Sequence, residues 1–93
     1  MANAIITFEI MPESPESDVE SLKEKLLNIV KEAGAKGEMQ VKIEPVAFGL
    51  KKILIYAMFE VGDGKDFDSI CDKMMTIEEV GNAVVANMDL AMG

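Results

Sequence analysis

Apolar and polar positions along the first twelve residues follow a period of two, the spacing of an extended chain. In Ala4-Ile5-Ile6-Thr7-Phe8-Glu9-Ile10-Met11, Ile6, Phe8 and Ile10 fall on one side, and β-branched and aromatic residues dominate. The pattern predicts a strand with one face buried more deeply than the other. Met11-Pro12-Glu13-Ser14-Pro15 ends it, because two prolines cannot continue a central ladder. The period then changes. Val19, Leu22, Leu26, Ile29, Val30 and Ala33 recur at spacings of three and four, which is one stripe of a helix. Ser17-Asp18-Val19-Glu20 reads as its capping box, with the Ser17 hydroxyl accepting from the third backbone N–H and Glu20 reaching back. Gly34 supplies a left-handed C-cap.

Alternation returns with Met39, Val41 and Ile43 against Gln40, Lys42 and Glu44, a one-sided strand stopped by Pro45. A short connection, Val46-Ala47-Phe48-Gly49, leads into the strongest strand pattern, residues 50–61. Gly62-Asp63-Gly64 turns the chain into a second helix capped by Asp66, with Phe67, Ile70, Cys71 and Met74 as its apolar stripe. A last strand is expected over residues 80–90, with Val84, Ala86 and Met88 inward. The order is β-α-β-β-α-β, and two right-handed crossovers in one sheet put both helices on the same face. This predicts an α+β fold of the ferredoxin-like kind. It is a two-layer sandwich, with two helices on one face of an antiparallel four-stranded sheet. With no internal repeat, low-complexity tract or linker, residues 1–93 are expected to form a single domain.

Composition narrows the chemistry. Ninety-three residues, 49% of them hydrophobic and 28% charged, suit one small core. Seventeen Asp and Glu face 9 basic residues, all of them Lys, for a net charge of −8. Without Arg there is no bidentate fork for phosphate or guanine, and an acidic surface repels a nucleic-acid backbone, so no direct nucleic-acid partner is expected. The absence of His removes Ser-His-Asp and Cys-His nucleophile systems and the commonest zinc ligand. A single cysteine, Cys71, forms neither an internal disulfide nor a Cys-x-x-Cys site, which fits a reducing cytosol. Met1-Ala2-Asn3-Ala4 has no basic stretch before an apolar run, and the longest apolar run, residues 53–59, is far too short to span a bilayer. A cytoplasmic protein with no membrane partner, no metal and no cofactor is expected.

This fold hosts many unrelated functions, so function must come from a site. Cys71 alone cannot make a copper-chaperone pair, and an acylphosphatase-like site lacks its Arg. An RNA-recognition sheet needs exposed aromatics, whereas Phe8 and Phe59 read as core. Asp63, Asp66 and Asp68 suggest a Ca²⁺ loop, but the twelfth position counted from Asp63 is Met74 where a bidentate Glu is required. Helix capping explains these acids better, and the helix dipole explains Glu13, Glu16, Asp18 and Glu20. Cys71, on an apolar stripe, reads as a buried structural thiol.

One segment stands apart: Glu44-Pro45-Val46-Ala47-Phe48-Gly49-Leu50-Lys51-Lys52. Taken on residue type alone, Phe48 reads first as an aromatic that folds back to plug the end of the core. The alternative is an aromatic held on a rigid loop as an interface anchor, with Lys51 and Lys52 meeting an acidic rim or a phosphate. The lysines could equally guard the start of an apolar strand, and alternation sends them to opposite faces.

Met11-Pro12-Glu13-Ser14-Pro15, then Pro45-Val46-Ala47-Phe48-Gly49-Leu50-Lys51-Lys52, then a glycine-acidic turn resemble the archaeal elongation factor 1-beta family over essentially the whole chain. The same stretch is similar to the C-terminal catalytic domain of the eukaryotic factor. The resemblance implies a translation factor that promotes exchange of GDP for GTP on the GTPase elongation factor 1-alpha, without bond-making chemistry of its own. It implies that Phe48 enters a pocket of the GTPase, with Val46, Ala47, Gly49, Leu50, Lys51 and Lys52 around it. In the family the C-terminal end also approaches the Mg²⁺ and phosphate site; here Leu90 and Met92 are expected to add only apolar contact with the partner or core closure. The eukaryotic form carries a penultimate lysine there, whereas this sequence reads Asp89-Leu90-Ala91-Met92-Gly93, so that step does not carry over. A monomer when free is expected. A small-molecule-sensing domain or an oligomerisation module remains the alternative, since Leu54, Tyr56 and Met58 lie on the sheet face that the helices leave open.

Overall fold

The computed structural model describes residues 3–60 and 66–91, with side chains as far as Asp89. Seven elements follow in order: β1 (Asn3–Pro12), α1 (Val19–Glu32), β2 (Lys36–Pro45), a 3-10 turn (Ala47–Gly49), β3 (Lys51–Glu60), α2 (Phe67–Met74) and β4 (Val80–Ala91). The strands form one sheet in the order β2-β3-β1-β4, and every neighbouring pair is antiparallel. This is the ferredoxin-like sandwich that the periodicities predict.

The period-two pattern of β1 places Ala4, Ile6, Phe8 and Ile10 on the helix-covered face, opposite Phe59, Ala57, Ile55 and Ile53 of β3. All eight are buried, and they join Leu22, Leu26 and Val30 of α1 and Phe67, Ile70, Cys71 and Met74 of α2 in one core. Phe59 stands edge-on between Phe8 and Phe67, with ring centroids 6.2 and 5.2 Å away, the arrangement that aromatic quadrupoles favour.

The helix ends show what stops each element. At the end of α1, Ala35 N–H donates to the Val30 carbonyl and Gly34 N–H to that of Lys31, with Gly34 at φ 110°. This is a Schellman closure that needs glycine. The capping box at the start is displaced by one residue. Asp18, not Ser17, is the N-cap, and its carboxylate accepts from Ser21 N–H at 3.3 Å. Ser17 N–H instead donates to the Ser14 carbonyl, which holds that residue in the preceding turn. Glu20 pairs with Lys23 at 2.9 Å rather than reaching back. Asp66 caps α2 as expected, accepting from Asp68 N–H at 3.0 Å; Asp63 and the Gly62–Gly64 turn lie outside the described residues.

Two edge strands depart from simple alternation. β2 begins at Lys36, ahead of the alternating Met39-to-Ile43 stretch, because a register shift between Lys36 and Gln40 lets the strand start irregularly, with Gly37 at φ 66°. In β4 the inward positions are Ala83 and Val85, which face Ile10 and Phe8, not Val84 and Ala86. Val84 faces Glu9 on the open side and is 43% exposed. Ala86 stands outside the register, a bulge that reverses the parity of everything after it. Met88 therefore does share the helix side with Ile6, yet it lies beyond the helices' cover and is 51% exposed.

On the open face, Met58 lies beside Ile5, Tyr56 beside Thr7, and Leu54 beside Glu9. Across β2 the same residues meet Lys36, Gln40 and Lys42. These neighbours leave Leu54 and Thr7 buried and Tyr56 and Met58 half-buried. Among the described residues, no helix is long and apolar enough to cross a membrane.

Candidate functional site

The β2–β3 hairpin ends at the pair Pro45 and Lys51, and five residues close the turn. Val46 N–H donates to the Leu50 carbonyl at 2.8 Å, and Leu50 N–H donates to the Ala47 carbonyl at 3.3 Å. Inside that ring two successive residues are left-handed: Phe48 at φ 63°, ψ 28°, and Gly49 at φ 78°. Glycine takes this conformation freely, whereas a residue with a Cβ gives up about 1 kcal/mol or more. Phe48 is the sole residue other than glycine with positive φ among the described residues. Phe48 is 93% exposed, while Val46 and Leu50 are half-buried.

This overturns the core-plug reading of Phe48. Pro12, Ile10 and Ile53 are buried at that end of the sheet and already close the core, so the aromatic has nothing to fill. The turn instead carries it outward.

The segment between β1 and α1 lies alongside. A methyl group built on Gly49 would come 3.8 Å from Pro15 Cβ. Glu13 N–H donates to the Glu79 carbonyl at 2.8 Å, which ties the segment to the entry of β4. Gly81 sits outside the register there, and a methyl on it would meet Glu13 Cα and the Pro12 carbonyl oxygen at 3.2 Å each. Such close backbone approach favours glycine at a bulge. Two of the three motifs that carry the family resemblance are thus neighbours in space. No periodicity reports that adjacency, since 30 or more residues separate them in sequence.

The two lysines part company, as alternation requires. Lys52 turns to the open face, where its Nζ lies 3.6 Å from Glu44 and 3.9 Å from Glu9. Lys42 completes the group at 3.1 Å from Glu44. The hydrogen bond from Lys42 holds the Glu44 carboxyl below its usual range, against a desolvation that pushes it up, with the charges of Lys42 and Lys52 assisting. The same bond holds the Lys42 ammonium above its usual value. Lys51 is exposed.

Leu90 is not part of this cluster. Its backbone pairs with Ala4, which pairs in turn with Phe59 of β3. That places Leu90 about 26 Å along the sheet from Lys51, at about 3.3 Å per residue. The Leu90 side chain and Met92 lie outside the described residues. The structure therefore brings together residues 46–52 with the 12–17 segment, and sets the end of β4 at the other pole.

Cys71 takes no part in a site. Its side chain is buried, and burial pushes its thiol up to about 11, with Asp68 and Asp72 adding to the shift. A thiol held protonated at neutral pH is a poor nucleophile.

Fold and turn together define a small two-layer α+β domain in which the most exposed large apolar side chain among the described residues is the tip of a closed hairpin loop. The family model described as the EF-1 guanine nucleotide exchange domain matches residues 5–91. An elongation factor 1-beta from Methanococcus maripaludis is 38% identical over 90 residues, covering 97% of this chain and 99% of that protein. One from Pyrococcus furiosus is 35% identical over 83 residues, covering 89% of each. One from Nanoarchaeum equitans is 35% identical over 78 residues, covering 84% of this chain and 93% of that protein. The chain belongs to the EF-1 guanine nucleotide exchange domain family, alongside the archaeal elongation factors 1-beta. Its role is accordingly that of an elongation-factor nucleotide exchange protein.

Proposed function

We propose that residues 1–93 act as a single exchange domain on elongation factor 1-alpha, promoting release of GDP so that GTP can replace it. Phe48 is the anchor of that contact. The observation that carries this reading is a 93% exposed aromatic in a left-handed conformation, fixed by two hydrogen bonds across its own turn. Burying it in a partner's pocket supplies the apolar area of an interface hot spot, and the closed turn limits the entropy lost on docking.

Exchange needs no bond-making step. The factor binds the nucleotide-free GTPase more tightly than the loaded one, and by linkage it weakens nucleotide binding by the same ratio. Nucleotide affinity rests on Mg²⁺ and backbone donors around the β-phosphate, so displacing one element that supports this cradle speeds release. Val46, Ala47, Gly49, Leu50 and Lys51 form the rim of the docking tip, and Lys52 braces its base through Glu44 and Glu9. The factor acts as a cytoplasmic monomer. The test is release of a fluorescent GDP analogue from elongation factor 1-alpha. Acceleration by this protein, lost in Phe48→Ala, is the expected result; no acceleration by the intact protein overturns the reading.

A further inference from the structure

The 12–17 segment has no part in the contact proposed above, yet it lies against the turn that presents Phe48. It is held at both ends. On one side Pro12 is buried, Glu13 is bonded to Glu79, and Gly81 packs close against the backbone of both Pro12 and Glu13. On the other, Asp18 caps α1. Between these anchors Ser14 organises a tight turn: its carbonyl accepts from Ser17 N–H at 3.2 Å, and its Oγ accepts from Glu16 N–H at 3.1 Å. Pro15 is at the crest of that turn, exposed, with its own φ fixed by the ring.

The Phe48 turn is the opposite case. Val46 offers no side-chain cap, and Phe48 is the one residue with a Cβ that is held left-handed among the described residues. Left-handed conformations of residues with a Cβ persist only where the surroundings over-determine them. Beyond the turn's own two hydrogen bonds, Pro15 stands beside Gly49: the place a methyl on Gly49 would take is 3.8 Å from the Pro15 Cβ.

We propose that Pro15 is a positioning residue for the exchange contact: a rigid shelf against Gly49 that keeps Phe48 in its left-handed, outward state. This rests on the reading of Phe48 as the docking anchor. A preorganised anchor binds at its intrinsic affinity, whereas an anchor that is competent for only a fraction of the time binds more weakly by that fraction. Pro15 touches no nucleotide and acts through Gly49 and Phe48.

Two measurements test it. In the free protein, the ¹⁵N order parameters of Phe48 and Gly49 are expected to match the rigid backbone, about 0.85, and to fall below about 0.6 in Pro15→Gly. Pro15→Ala, which keeps the Cβ, is expected to retain most of the rigidity. Unchanged order parameters in Pro15→Gly overturn the inference, whatever Phe48 does. In the GDP-release assay, Pro15→Gly is expected to lower exchange efficiency about fivefold in the parent but to have no effect beyond that of Phe48→Ala when the two are combined, as coupled residues behave. Equal losses in both backgrounds would mean that Pro15 acts independently of Phe48, which also overturns it. Loosening in Pro15→Gly together with normal exchange by Phe48→Ala would leave the shelf intact and remove the functional role of Phe48 instead.

Discussion

Phe48 and Leu90 stand at opposite poles of one sheet: the turn bearing Phe48 lies beyond Lys51 at one end of β3, while Leu90 is level with Phe59 near the other. Contacts made at two places so far apart are expected to be independent. Deleting residues 91–93 is expected to reduce GDP release by no more than about tenfold, equivalent to about 1.4 kcal/mol. Combined with Phe48→Ala, the two losses should multiply, since well-separated sites add in free energy. Circular dichroism checks that the truncated chain is folded. A folded truncation without exchange activity would transfer the main role from Phe48 to the C-terminal segment.

Phe48→Ala should abolish most exchange, a loss of about 2 kcal/mol or more in binding, with a near-unchanged melting temperature because the ring contributes nothing to the core. Phe48→Gly makes the sharper test. It removes the same ring but relieves the left-handed strain, so stability should hold or rise by up to about 1 kcal/mol while exchange is lost. Thermal melts beside GDP-release rates measure both. A loss of 3 kcal/mol or more in either variant, the cost of truncating a core Phe, would return Phe48 to a structural role.

A factor with a net charge of −8 is expected to be steered to a basic surface of its partner. Stopped-flow association should therefore slow as ionic strength rises, while dissociation, governed by apolar contact at Phe48, changes little. Association rates that stay flat from low to high salt would remove steering from the account.

Cys71 predicts a pH dependence of stability. Its pKa is raised from 9.0 to about 11 in the folded protein. Between those values the unfolded chain releases the proton while the folded chain keeps it. Stability is therefore full below about pH 9 and falls as pH rises towards 11. Urea unfolding at pH 8 and pH 10.5 should show the parent losing about 2 kcal/mol more than Cys71→Ala over that interval. Equal losses would show that the thiol ionises as readily in the fold as out of it.

Much of the architecture was legible from pattern alone, because burial on one face imposes a repeat of two on β1 and the middle of β2 and of three to four on both helices, while the unbroken apolar run at 53–59 marks β3. The Asp66 cap and the Gly34 closure were equally readable, since each depends on local backbone geometry. The failures share a cause. Whether Ser17 or Asp18 caps α1 depends on the Ser14 turn, which claims the Ser17 N–H. Which residues of β4 face inward depends on a bulge that no alternation marks. The direction of Phe48 depends on a backbone φ of 63° and on a core already filled by other side chains. Neither is encoded in the hydrophobicity of a single aromatic.

The bulge at Ala86 also sets a rule for the length of this strand. With Ala86 removed, Val85 and Asn87 would become consecutive and still meet Phe8 and Thr7, so Asn87 and Asp89 would keep facing water and Met88 would keep its side. Elsewhere in a half-buried strand, losing one residue turns every later side chain to the wrong face. Here the chain can shorten by a residue and change only its twist. Relatives aligned here should tolerate a one-residue gap at Ala86 that they do not tolerate anywhere in β1 or β3.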